Sequence, residues 1–450
     1  MARRFGSRLL LQVQEISSQG GDGLRQCLIV FTLFLIAVSA CPGAERPVQA
    51  EAPFGGVDVA GDVVLWEREQ SSDARILDLA TMRDAQGIVH VVFYVYTTTN
   101  CPDGKGTLLH AMLEGRKSLD EQHPRKEVLA ESCGGSEEIA KWAMTRYQTS
   151  VLIVWREKPG TYCMAMRPGE QNAESRRVRV ASPLDRITPL GYLEQSNSLI
   201  LAGPVPSTSN MKEGMEDYAW AAFAQVHCQS NGLLAVTAAP EAEIVSSVDC
   251  ILRGEGEIAK YVRPVVLVRE QCASVFTAAS TQPPTPGFVI LEHELTGSPV
   301  EHKLLGQWET SGPVQWLKAF STGQGRRYVV VWGVDGDEDV APTYFVDTGT
   351  SVSAQTLGAA RDQRCGRPVG AFRESPAGAE GVVVWNDENS ELVGMRYSKG
   401  TWSALHQFGM QASERLGIEE VEQGRYWVFT FWHGMLKVTE LRISAPSNHR

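Results

Sequence analysis

The chain has 450 residues, 43% hydrophobic and 21% charged, with 42 Lys and Arg against 53 Asp and Glu for a formal net charge of −11. That composition excludes a mostly disordered polymer and permits a large buried core, while the acidic balance disfavours nucleic acid and anionic lipid surfaces as partners. The length suits several domains or one large repeat fold, so internal repetition has to be examined first.

Arg3, Arg4, Arg8 and Arg25 precede LIVFTLFLIAVSA, Leu28 to Ala40, a run of thirteen uncharged residues that stops at Cys41. A basic segment, a short apolar run and small residues before a cut predict a signal peptide over 1–40, the run being too short to span a bilayer. VSAC, Val38 to Cys41, resembles the lipobox of bacterial lipoproteins, which implies cleavage before Cys41 and acylation of its thiol. The alternatives are ordinary cleavage with a free Cys41 thiol, or a start near Glu51 after VQA. Residues 1–40 contain four Arg, one Glu and one Asp, so their removal takes the formal charge from −11 to −13. Residues 41–56 then read as a linker, 57–445 as one domain and 446–450 as a tail. The expected location is the cell envelope, or the exterior if Cys41 is not acylated. The last residues, LKVTELRISAPSNHR, offer no apolar tail, so membrane contact is expected through the lipid alone.

Beyond residue 57 one pattern recurs. VVFYVY (Val91 to Tyr96), VLIVW (Val151 to Trp155), YVVVW (Tyr328 to Trp332), GVVVW (Gly381 to Trp385) and YWVFTFW (Tyr426 to Trp432) are β-branched and aromatic runs, predicted as strands buried on both faces. Each lies between alternating segments, as in GVVVWNDENSELVGMRYSKGTWSAL, where VVVW reads as a second strand, LVGMRY as a third, and SKGTWSAL as a turn and outer strand. Units open near Ile76, Ile139, Ile187, Ile258, Val314, Arg367 and Leu416, and the last has only three strands. Asp62 to Arg68, a strand without a partner of its own, is expected to fill that gap and close a ring, removing the exposed edges. The predicted fold is therefore all-β: a seven-bladed β-propeller of four-stranded antiparallel blades, similar in repeat length to the WD and kelch types without their signatures. Six blades is the alternative, because Cys228 to Pro286 is irregular. Trp155, Trp332 and Trp385 are expected to pack between blades.

Seven cysteines follow Cys41, none in a CxxC pair, which disfavours zinc or haem; Cys101 and Cys133, both in turn-like surroundings of one unit, are the expected disulfide. VDGDEDVAP sets Asp335, Asp337 and Asp339 at alternate positions of a turn, a spacing that could gather hard oxygen ligands around calcium. Val340 replaces the expected glycine and no Glu stands at the twelfth position, so a solvated acidic turn is the competing reading, as for NDENSE at Asn386 to Glu391. No other cofactor is expected. The turn YSKGTW, Tyr397 to Trp402, resembles the S-x-D-x-G-x-x-W Asp-box of sialidase-like propellers at Ser398, Gly400 and Trp402, with the Asp absent. That resemblance implies a carbohydrate-active hydrolase using converged arginines, a Tyr with a carboxylate partner and an acidic proton donor. No HExxH, GxSxG or P-loop is present, and EHE at Glu292 to Glu294 turns His293 away from both glutamates. The favoured function is a non-enzymatic binding scaffold for a protein or glycan, with a sialidase-like hydrolase as the alternative.

Overall fold

The computed structural model describes residues 53–133 and 368–444, apart from 71, 99–100, 102–103, 376–377, 399–400 and 414; between 142 and 357 it describes strands, with side chains only at Trp142, Met144, 151–153 and Trp155. Every described sheet is antiparallel, and no α-helix occurs among the described residues. Strand β1 is Val57–Glu67. The first sheet comprises β2 (Arg75–Arg83), β3 (Ile88–Thr97), β4 (Lys105–Glu114) and β5 (Arg125–Ser132), paired in that order. The second runs from β6 (Trp142–Tyr147) and β7 (Ser150–Glu157) through β8 (Gly160–Met166) to β9 (Arg176–Val180). Three more open at β10 (Thr188–Leu193), β14 (Val262–Val268) and β18 (Val314–Ser321), each again four strands in sequence order. The sixth holds β22 (Val369–Ser375), β23 (Gly378–Asn386), β24 (Glu391–Ser398), β25 (Thr401–Trp402) and β26 (His406–Gln411). The last contains β27 (Leu416–Glu422), β28 (Arg425–Trp432), β29 (Met435–Ile443) and, as its fourth strand, β1.

The sheets thus open within about four residues of the positions read from the repeat, and the N-terminal strand lies where a missing outer strand was expected. Asp62 is opposite Thr439, Val63 opposite Val438 and Trp66 opposite Leu436. Leu65 is bulged out of the register between Val64 and Trp66, and it is fully buried while most of β1 is exposed. A bulge re-aims a side chain, and here it puts the leucine into the core.

The first strands of the sheets touch one another in a closed cycle: β2 with β6, β6 with β10, β10 with β14, β14 with β18, β18 with β22, β22 with β27, and β27 with β2. The approach of β27 to β2 is close enough that a Cβ on Gly417 would lie 2.5 Å from Thr81 Cγ2. Outside that cycle the core is made of seams between successive sheets, and strand alternation explains the unbroken apolar runs. On β3, Val89, Val91 and Phe93 pack with Trp427, Phe429, Leu436 and Val438 of the last sheet, while Val92 and Tyr94 pack with Trp142, Val151, Ile153 and Trp155 of the second. On β28, Tyr426 and Val428 face Val382, Val384 and Leu392 of the sixth. A central strand therefore needs large apolar groups at consecutive positions. Trp155 is fully buried in one such seam and Trp385 is buried against Val393 and Met395; the side chain of Trp332 lies outside the described residues.

One boundary differs from the sequence reading. The sixth sheet's outer strand does not end at Leu405 but extends to Gln411, in two pieces that both pair with β24: Trp402 opposite Tyr397, then His406 opposite Gly394. At the break the Ser403 hydroxyl accepts the Arg396 amide (2.9 Å) and the Ser403 amide donates to the Arg396 carbonyl (2.8 Å). A side-chain oxygen replaces a ladder partner there, so the backbone stays satisfied across the interruption.

The seam that contains Leu65 makes a prediction. Leu65→Ala should destabilise the protein by about 2–5 kcal/mol, as for a fully buried leucine, whereas Val64→Thr at the neighbouring exposed site should stay within about 0.5 kcal/mol; urea denaturation of both variants measures the difference.

Candidate functional site

The inner strands carry charged side chains that converge where β2, β22 and β27 meet. Glu420 on β27 is held from several sides: Arg373 Nε on β22 is 3.1 Å from its Oε1, the Gly424 amide donates to Oε1 at 3.0 Å, and the Tyr426 hydroxyl donates to it as well. Arg373 Nη2 also meets Glu380 Oε2 at 2.6 Å. From β2, Thr81 Oγ1 donates to Glu419 Oε1 (2.9 Å) and Arg83 Nη1 to the Glu420 carbonyl (3.2 Å). Alternation sends Glu419 and Glu420 to opposite sides of β27, so one glutamate binds the first sheet and the other the sixth.

Burial raises the Glu420 carboxyl above the usual carboxylate range against the opposing pull of Arg373 and its hydrogen bonds. Burial, with the neighbouring Glu420 charge, also raises the Tyr426 phenol, whose ring is only 5% exposed. A Tyr paired with Glu beside Arg has the residue types of a sialidase-like nucleophile, but a phenol held protonated and shielded is moved away from that role. The cluster's chemistry is that of a clamp between inner strands.

The second arrangement is a cleft of about 790 Å³, where the β27–β28 turn meets the β4–β5 turn and the adjoining ends of β29 and β1. Its wall is anchored by Arg425, which donates to the Lys117 carbonyl (2.8 Å) and pairs with Glu440 (2.8 Å), itself bound by Arg442 (2.9 Å) and the Trp427 indole (3.2 Å). Asp58, Arg116 and Glu121 also line the cleft; all three are exposed and have no partner among the described residues. Beside the paired Arg425, Arg442 and Glu422, the guanidinium of Arg116 and the carboxylates of Asp58 and Glu121 make a polar surface with donors and acceptors interleaved. That suits a hydroxyl-rich or polar peptide ligand.

Of the residues singled out by sequence, Cys41 and the aspartates Asp335, Asp337 and Asp339 lie outside the described residues. Cys101 and Cys133 are joined by a disulfide with Cα atoms 5.5 Å apart, tying the β3–β4 turn to the end of β5. In NDENSE, Asp387 Oδ1 accepts the amides of Asn389 (2.9 Å) and Glu391 (2.8 Å), so this carboxylate closes its own turn. Of YSKGTW, Tyr397 and Ser398 end β24 and Thr401 and Trp402 form β25, with the Trp402 ring 4.9 Å from that of Tyr397, tilted by 48°, and 9% exposed. The inner-strand cluster was not anticipated, although adjacent Glu419 and Glu420 in a short strand of a buried repeat were its available signal.

No protein-family model matches the chain, and no curated protein does. Among solved structures it is similar to the hemagglutinin-neuraminidase ectodomain of parainfluenza virus 5 (8% identity, 99% of this chain and 100% of that one, TM-score 0.41). It is also similar to prolyl oligopeptidase B from Galerina marginata (10%, 84% of this chain and half of that one, TM-score 0.45) and to AofleA from Arthrobotrys oligospora (9%, 89% and 99%, TM-score 0.41). With TM-scores below 0.5, none of these bears on the reading of the site.

If the cluster is a clamp, its loss is a stability effect with a definite pH dependence. Arg373→Met leaves Glu420 half-buried without its cation, at a cost of about 1–3 kcal/mol at pH 7. Because the folded Glu420 carboxyl is raised above its unfolded value, protonation relieves the penalty as pH falls. Urea denaturation should therefore show a larger loss at pH 7 than at pH 4.

Proposed function

We propose that this chain is an exported, lipid-anchored, seven-bladed β-propeller that serves at the cell envelope as a non-enzymatic binding scaffold for a protein or glycan. The observation that carries the reading is the division of polar groups among the described residues: Arg373, Glu380, Glu419 and Glu420 are engaged between the strands they join, while the cleft between the β27–β28 and β4–β5 turns holds Asp58, Arg116 and Glu121 without a partner among the described residues. The cyclic contact of first strands favours seven blades over six. Export rests on the signal-like segment, and anchoring on VSAC before Cys41; the acidic body, −13 after removal of 1–40, repels nucleic acid and leaves the lipid as the membrane contact.

A sialidase-like hydrolase is the second reading, favoured by the convergence of Tyr426, Glu420 and Arg373, and disfavoured by the burial of the Tyr. A glycan array run beside a fluorogenic sialoside panel separates the two. The scaffold predicts binding without turnover for a glycan ligand, or cross-linking to an envelope protein, and Arg116→Ala should weaken the captured ligand about tenfold while leaving folding within about 0.5 kcal/mol. Turnover abolished by Glu420→Gln would replace it with the hydrolase. Mass spectrometry of the mature protein should find diacylglycerol on Cys41 as the N-terminal residue; an unmodified Cys41 or a start near Glu51 removes the anchor.

A further inference from the structure

Three turns are tied together beside the cleft. The Gly115 amide of the β4–β5 turn donates to the Gly87 carbonyl of the β2–β3 turn (3.0 Å), and Arg425 Nη1, where the β27–β28 turn enters β28, donates to the Gly115 carbonyl (3.4 Å). Gly87 is buried, with φ +87°, and the three heavy atoms nearest to the position its Cβ would take are guanidinium nitrogens: Arg83 Nη2 at 3.4 Å, Arg83 Nε at 3.8 Å and Arg116 Nε at 3.9 Å. An arginine from the end of β2 and one from the β4–β5 turn therefore lie side by side over one glycine.

Neither arginine has a carboxylate partner among the described residues. Arg83 is half-buried; its Nη1 donates to the Glu420 carbonyl (3.2 Å), and its Nε is a buried donor without an acceptor among the described residues. Arg116 is exposed and lines the cleft. Asp84, next in sequence to Arg83, is committed elsewhere: its Oδ1 accepts the amides of Gln86 (2.9 Å) and Ile88 (2.8 Å), and its Oδ2 faces His90 in a buried row that continues through His110 to Glu127. The Glu420 carboxylate is held by Arg373 and the Gly424 amide. A buried donor without an acceptor costs free energy, and two guanidiniums brought together repel. An oxoanion seated against Arg116 and the Arg83 fork relieves both, because guanidinium geometry matches the paired oxygens of a carboxylate or a sulfate.

The rest of the cleft restricts the molecule that carries the anion. Asp58, Glu121 and Glu422 line it, on a body of net negative charge, and together they oppose a polyacidic chain. Its apolar side chains are Val57 and Ile443, of which Ile443 is 6% exposed, so a peptide finds no apolar anchor. Sugar hydroxyls, in contrast, donate to carboxylates. Resting on the reading of this cleft as the ligand site, we propose that Arg83 and Arg116 form its anion subsite and that the ligand is an acidic glycan. One carboxylate or sulfate bridges the two guanidiniums while neighbouring hydroxyls donate to Asp58, Glu121 and Glu422. The subsite uses none of Arg373, Glu420 and Tyr426.

Titration of the full chain in mild detergent with glucuronate, glucose 6-sulfate, glucose and a Glu-rich hexapeptide tests this, read by calorimetry and by the arginine Nε–Hε resonances in arginine-labelled protein. Both acidic sugars should bind saturably and move the Arg83 and Arg116 resonances, with glucose and the peptide at least about tenfold weaker. Arg116→Gln, an exposed substitution, and Arg83→Lys should each weaken the acidic sugars about tenfold without changing glucose; Arg116→Gln keeps the test decisive if Arg83→Lys does not fold. Glucose bound as tightly as glucuronate, acidic-sugar binding that Arg116→Gln leaves unchanged, or a tighter grip on the peptide would overturn the assignment. A neutral glycan captured on the array would also overturn it while leaving the scaffold intact, whereas glucuronate bound through Arg116 with an empty array would uphold the subsite and count against the wider reading.

Discussion

The antiparallel pairing of Val57–Glu67 with Met435–Ile443 is the contact on which the rest depends. It joins residues some 375 positions apart and gives the last sheet its fourth strand. Loop-closure entropy grows slowly, by about 0.6 kcal/mol per doubling of length, so the distance along the chain is a modest obstacle. What holds the strand is local: backbone ladder bonds along nine residue pairs, and the bulge that drives Leu65 among Trp427, Phe429 and Leu436. Without it the last sheet would be left with three strands and an open edge.

Closure also explains how polar groups are distributed. Central strands such as β3 and β28 contribute to two seams at once, so a polar residue there has no solvent-facing alternative and must find a partner inside the fold. Glu440 finds Arg425, Arg442 and Trp427; the buried histidines find each other and two carboxylates. On the inner strands, where first strands of neighbouring sheets crowd together, Glu420 and Arg373 pair across sheets for the same reason. The cleft differs because it is built from turns and strand ends that face water, where Arg116, Asp58 and Glu121 stand without a partner among the described residues at little cost.

How much of this can be read from sequence follows from range. VVVW and YWVFTFW announce doubly buried strands because consecutive apolar residues are a local consequence of having a seam on either side. Asp62 to Arg68 was legible for a related reason: a strand-like run with no unit of its own, set against a last unit one strand short. The outer strand of the sixth sheet was misjudged because Ser403 substitutes its hydroxyl for a backbone partner, a device that composition does not reveal. The side-chain clusters were the least legible. His90 and His110 are single residues on separate strands, and Glu420, Arg373 and Tyr426 span two sheets, so nothing in local spacing relates them. Acidic composition is an ambiguous signal of its own: NDENSE fits either a cation site or a plain turn, and Asp387 is engaged by its own backbone amides.

Zero-length carbodiimide coupling followed by peptide mass spectrometry tests the closure most directly, because Lys437 Nζ on β29 lies 3.2 Å from Asp62 Oδ2 on β1. The pair Lys105 and Glu131, 2.9 Å apart within the first sheet, provides the internal standard. Ring closure predicts an intramolecular Asp62–Lys437 amide at a yield comparable to that of Lys105–Glu131. Recovery of the Lys105–Glu131 link with none between Asp62 and Lys437 would contradict it.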